Sequence, residues 1–124
     1  MKVPKSLISA LRKEQVFLLA THINPDGDAL GSCLALAEAL ELLGKKVHIF
    51  DRDPVPEPYR FMPGHKKCKS TLGNFLKKNP QLILLDCNSP ERAALQGYIF
   101  RKSVVQVGLN IVRRHLNGVY FRLV

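Results

Sequence analysis

The segment VFLLATHINPDGDALGSCLALAEALELLGKKVHIFD, residues 16–51, constrains the fold more than any other part of the chain. VFLLAT (16–21) is a short unbroken apolar run, the pattern of a strand buried on both faces. NPDGD (24–28) interrupts it, because Pro and Gly punctuate regular structure. ALGSCLALAEALELLG (29–44) then sets Leu30, Leu34, Ala37, Leu40 and Leu43 at steps of three or four, and Ala and Leu favour helix. Gly44 is a natural helix stop. KKVHIFD (45–51) reads as a second strand. Strand, loop, helix and strand in this length make a βαβ unit. Its strands are parallel and its crossover right-handed.

The remaining segments extend this unit. PKSLISALRKEQ (4–15) has Leu7, Ile8 and Leu11 at helical spacing and predicts a short amphipathic helix. RDPVPEPYRFMPG (52–64) holds four prolines and predicts an irregular connection. STLGNFLKKNP (70–80) predicts a weak helix ending before Pro80, and QLILLDCN (81–88) a buried strand with Asp86 at its carboxyl end. SPERAALQ (89–96) has the Ser-Pro opening of a helix. SVVQVGL (103–109) reads as a fourth strand, whereas NIVRRHLNGVYFRLV (110–124) fits more than one element.

A length of 124 residues suits one domain, and 46% hydrophobic with 23% charged residues are globular values. No apolar run is long enough to span a bilayer, and the first fifteen residues alternate charge with apolar positions, unlike a secretory signal. A soluble cytoplasmic protein is expected, with no membrane partner. The three cysteines are scattered, so Cys33 and Cys87 read as buried free thiols. His65 and Cys68 have a metal-like spacing, but no second pair completes a zinc site. The net charge of +9 is uneven. From Arg92 onward there are six basic residues and no Asp or Glu, which leaves only +3 on residues 1–91. A basic end attracts phosphates and nucleic acid.

THINPDGDALGS (21–32) crowds His22, Asp26 and Asp28 into the loop after the first strand. In an open parallel sheet, ligands bind beyond the carboxyl ends of the strands. Asp86 ends another strand, so all four side chains can reach one edge. Imidazole with several carboxylates suits Mn²⁺ or Mg²⁺, and a cation removes the repulsion among the carboxylates. Two such ions clamp the attacking and leaving oxygens of a phosphoryl transfer. The plain alternative stays open on spacing alone. NPDGD is then a turn with Asp28 as helix N-cap, His22 a core histidine, and Asp86 a cap.

The stretch THINPDGDALGSCLALAEALELLGKKVHIFDRDPVPEPYRFMPG (21–64) resembles the start of the DHH phosphoesterases, the RecJ-like family. Within that family it is most similar to the branch of oligoribonucleases and 3′-phosphoadenosine-5′-phosphate phosphatases. LILLDCNSPER (82–92) looks like the family's second motif. The resemblance implies a three-layer, Rossmann-like α/β fold with a parallel sheet. It also implies a two-manganese site, with His22 and Asp26 on one ion, Asp28 on the other and Asp86 bridging. The implied substrates are nucleotides or short single-stranded oligonucleotides, and Arg92 matches an arginine that follows the second motif and contacts substrate.

The resemblance runs over residues 5–95 and then stops. SVVQVGLNIVRRHLNG (103–118) stands where the family carries Asp-His-His, and residues 92–124 contain no Asp and only one histidine, His115. The fourth-motif Asp and the family's substrate-binding domain have no counterpart here. Residues 1–95 are therefore expected to be the amino-terminal part of a DHH domain, and 96–124 a basic segment without the family motifs. The expected function is metal-dependent phosphoester hydrolysis by lineage, impaired in this chain, unless the chain is a truncated or degenerate domain without catalysis. The alternative is a non-catalytic domain that binds nucleotides, nucleic acid or a protein partner, including a second copy of itself.

Overall fold

The structure is a computed structural model and describes residues 5–102, 104–109 and 119–123. Helix α1 (Lys5–Lys13) leads into strand β1 (Val16–Ala20), helix α2 (Gly27–Leu42) and strand β2 (Lys46–Phe50). Strands β3 (Cys68–Lys69), β4 (Gln81–Leu85), β5 (Val105–Leu109) and β6 (Val119–Leu123) follow. All six form one sheet in the order β3-β2-β1-β4-β5-β6. β1 to β5 run parallel, and β6 closes the far edge antiparallel to β5. The α/β class and the parallel, Rossmann-like sheet are those expected.

Period-two alternation splits the central strands between two cores. Phe17 and Leu19 of β1 pack with Ile49, Ile83 and Leu85 against Cys33, Ala37 and Leu40 of α2 and Leu7 of α1. Leu18 and Ala20 face the other way, with Phe50, Leu82 and Leu84, onto Leu72, Cys87, Ala93 and Leu95. The three layers are thus helices, sheet, and a thin cover of short turns. β1 and β4 are covered on both faces, which explains their unbroken apolar sequences.

Several boundaries differ from the sequence expectation. α2 begins at Gly27, two residues early, because Asp26 rather than Asp28 is its N-cap. Asp26 is extended and its Oδ1 accepts from the Ala29 N–H at 2.9 Å. Gly44, at φ +80°, ends the helix as expected. The Gly44 and Lys45 N–H groups donate back to Glu41 and Leu40. The helix expected over 70–80 is only a 3-10 turn, Phe75–Lys78. Asn79, left-handed at φ 52°, stands before Pro80, and a residue before proline is disfavoured in helix. The helix expected over 89–96 is likewise a 3-10 turn, Glu91–Ala93. Ala94 turns left-handed there, so that Ala93 and Leu95 both bury against the sheet. β3 has only two residues, too few for any periodic signal. Residues 110–118, with Arg113, Arg114 and His115, lie outside the described residues, as does Ser103. Among the described residues no helix is long and apolar enough to cross a membrane.

Leu19 is fully buried in the α2-side core. Leu19→Ala is expected to cost about 2–5 kcal/mol of stability, the usual range for a truncated core leucine. Urea denaturation followed by circular dichroism measures it.

Candidate metal centre

The chain leaves β1 toward β2 on one side, while β4 lies on the other, so a crevice opens at the carboxyl ends of β1 and β4. Ala20 of β1 is paired with Leu84 of β4, and two residues further along each strand stand His22 and Asp86. His22 Nε2 lies 3.7 Å from Asp86 Oδ2. Asp26 joins them: each of the three offers a ligand atom within 4.8 Å of the others. Sequence reasoning put four residues at this edge. The structure brings together His22, Asp26 and Asp86, while Asp28 is exposed in the first turn of α2 and outside the group.

Local structure places each of the three. Asp86 is left-handed at φ 52°, a conformation that Asp tolerates better than most residues. Its N–H donates to the Val107 carbonyl of β5 at 2.8 Å, which pins the bend. His22 Nδ1 is 2.8 Å from the Ile23 carbonyl. A carbonyl only accepts, so Nδ1 carries the hydrogen, and in the neutral ring Nε2 presents its lone pair to the carboxylates. The Asp26 cap occupies Oδ1. The loop is tied down by the Ile23 N–H to the Arg92 carbonyl at 2.9 Å and the Asn24 N–H to Asp53 Oδ2 at 3.2 Å. One bare imidazole nitrogen and two carboxylates form a donor set that fits a hard or borderline divalent cation.

A fourth carboxylate, Asp51, is near enough to His22 for the imidazole to favour its charged form. Asp51 follows β2 and is 3% exposed. Its N–H donates to the Lys69 carbonyl and its Oδ1 accepts from the Asp53 N–H at 3.2 Å. Asp51 Oδ2 and the neighbouring Thr21 Oγ1 are buried without a partner among the described residues. Burial pushes the Asp51 carboxyl up to about 6, against the Asp53 N–H and His22, which favour its charged form.

The model of the DHH family, N-terminal domain, matches residues 16–107. The chain belongs to the DHH family. It is 36% identical over 84 residues to the bifunctional oligoribonuclease and PAP phosphatase NrnA of Thermus thermophilus. That match covers 65% of this chain but a quarter (25%) of the relative. A solved structure of an exopolyphosphatase-related protein from Bacteroides fragilis superposes with a TM-score of 0.69. It covers 86% of this chain and 34% of that one at 19% identity, a likeness of fold. A phosphoesterase lineage follows from the family and the relative.

Arg92 sits beside the site loop, its backbone carbonyl bonded to Ile23, but its guanidinium Nη1 donates to Asn88 Oδ1 at 3.4 Å and is exposed. Cys33 and Cys87 are buried free thiols, as expected. His65 and Cys68 belong to no cluster of possible ligands among the described residues. Sequence reasoning missed Asp51. The available signal was its position, a carboxylate at a strand end like Asp86. It also missed Tyr59, whose ring would lie 3.2 Å from a Cβ at position 27, so that Gly27 lets the proline-rich segment pack against the start of α2.

Two outcomes follow from these contacts. Asp26→Ala is expected to cost about 1 kcal/mol of stability by removing the helix cap, whereas Asp26→Asn keeps the cap and the stability. Thermal denaturation in chelator separates them. Asp51 is raised in the folded state, so the folded protein holds a proton that the unfolded chain releases near pH 4. The stability this confers is present below about pH 4 and is lost as pH rises through about 6. Asp51→Asn should therefore melt higher than the parent protein in chelator, by a margin that is larger at pH 7.5 than at pH 5.

Proposed function

We propose that the His22–Asp26–Asp86 group binds a divalent cation, Mn²⁺ or Mg²⁺, and that the crevice above it receives the phosphate ester of a nucleotide or a short single-stranded oligonucleotide. The observation that carries this reading is the convergence of a bare imidazole nitrogen and two carboxylates within 4.8 Å at the switch point of the sheet. The relative NrnA is named as an oligoribonuclease and PAP phosphatase, which supports substrates of this kind.

A bound cation supplies Lewis acidity and a water of lowered pKa. The protein groups do the rest. His22, locked through the Ile23 carbonyl, and Asp26, locked as a helix cap, hold fixed directions, so little reorganisation accompanies binding. Asp86, directly after β4, faces His22 of the site loop at 3.7 Å. Asp28 lies two residues beyond Asp26, in the first turn of α2, and is the candidate for a second, weaker ion. Arg92 contributes positive charge at the rim.

The chain is proposed to work slowly by itself. Residues 92–124 offer no Asp and no Asp-His-His to fix a second ion, and two-ion chemistry needs both in place. The assay is phosphate release from 3′-phosphoadenosine-5′-phosphate and from a short RNA, with and without Mn²⁺. The expected result is Mn²⁺-dependent turnover well below ~1 per second, abolished by Asp86→Ala. Turnover indifferent to Mn²⁺ and to Asp86→Ala refutes the reading. The second reading, a nucleotide or nucleic-acid binding module, is favoured by the six basic residues without an acid after Glu91. Salt-sensitive RNA binding with no turnover supports it. Homo-oligomer formation and a cytoplasmic setting are part of the proposal and are checked by light scattering and fractionation.

A further inference from the structure

Asp51 and Thr21 stand at matching positions of adjacent strands. Ala20 of β1 and Phe50 of β2 are Cα partners, and the next residue on each strand is Thr21 and Asp51. Neighbouring strands lie about 4.8 Å apart, so the two side chains are neighbours if they share a face. They do share it. Ala20 and Phe50 belong to the core on the turn side of the sheet, and alternation sends the following residues to the α2 side. The thiols there register the Asp51 charge. Burial and, after it, the Asp51 carboxylate push Cys68 up to about 11. Asp51 is also among the lesser causes that raise Cys33 of α2. His22 in turn favours the charged form of Asp51.

Both residues are more than nine-tenths buried, and both end in an atom without a partner, Thr21 Oγ1 and Asp51 Oδ2. Buried polar atoms in native proteins are nearly always satisfied by protein, water or an ion. The turn itself needs only Oδ1, which takes the Asp53 N–H. An asparagine serves that bond equally well and carries no charge. The His22 Nδ1–H is already taken by the Ile23 carbonyl, so Asp51 is not the direct partner of the imidazole. What remains unexplained is a buried carboxylate with a free oxygen, beside the hydroxyl of Thr21, the residue that immediately precedes His22.

We propose that Asp51, with the Thr21 hydroxyl, is a positioning element of the cation centre, which holds the ion by buried charge and by ordering the water around it without ligating it. The inference rests on the cation reading of His22, Asp26 and Asp86. Groups behind the ligands commonly set metal affinity by ten- to a hundredfold. A carboxylate in a poorly solvated place acts strongly on a nearby cation, because little water screens it.

The test is calorimetric titration of Mn²⁺ into the metal-free protein and into its Asp51→Asn, Thr21→Val and Asp86→Ala variants, with circular dichroism melts of each. Asp51→Asn is expected to bind Mn²⁺ about tenfold or more weakly while melting no lower than the parent protein. A residue needed only for the fold would lower the melt and leave affinity alone. Thr21→Val, nearly isosteric, is expected to weaken binding severalfold. Unchanged affinity in Asp51→Asn, with binding lost in Asp86→Ala, overturns this proposal and leaves the cation reading standing. If Asp51→Asn fails to fold, Thr21→Val decides, and unchanged affinity there overturns the proposal. Parent protein that binds no Mn²⁺ overturns both readings.

Discussion

Everything at the candidate centre depends on β1 being paired in parallel on both of its edges. β2 and β4 hold it from either side, and two apolar layers cover its faces. A strand buried in this way has no freedom to slip, because a one-residue shift would exchange its two cores. The loop that follows is therefore delivered to one place, the carboxyl edge of the sheet, where the paths to β2 and β4 diverge. Backbone hydrogen bonds complete the delivery. Ile23 is tied to Arg92 and Asp86 to Val107, so the loop and the bend after β4 are held by main chain rather than by the side chains that meet there.

That arrangement frees the acidic side chains for a ligand and makes them costly without one. Asp86 takes a left-handed backbone, and Asp51 is buried with an oxygen unpartnered. Strain and unsatisfied polarity of this kind gather at functional sites, where the surrounding fold over-determines them. Asp26 differs, because its carboxylate both caps α2 and faces His22 and Asp86. Its removal disturbs the helix and the centre together, which is why the conservative Asn variant is the informative one.

The outer parts of the sheet are less constrained. β3 has two residues, paired with the last two of β2, and β6 turns the far edge antiparallel. The turn-side core is closed by 3-10 turns instead of full helices. The family match over residues 16–107 takes in β3 and these turns as well as the central strands and α2.

The βαβ unit of residues 16–51, the buried character of β4 and the placing of His22, Asp26 and Asp86 at strand ends were legible in the chain itself. Apolar periodicity and helix stop signals are local, and local signals survive without a three-dimensional frame. Tertiary contacts decided the rest. Whether 70–80 and 89–96 wind into α-helix turned on burying Leu72, Ala93 and Leu95, and on a proline at 80, against a weak intrinsic preference. That Asp26 caps α2 while Asp28 faces solvent is a matter of a two-residue phase, which spacing alone does not resolve. Asp51 offered only one sign in the sequence, its place at a strand end, and a carboxylate there is commonplace. Only the pairing of β1 with β2, which encloses it beside Thr21, distinguishes it from a solvated turn.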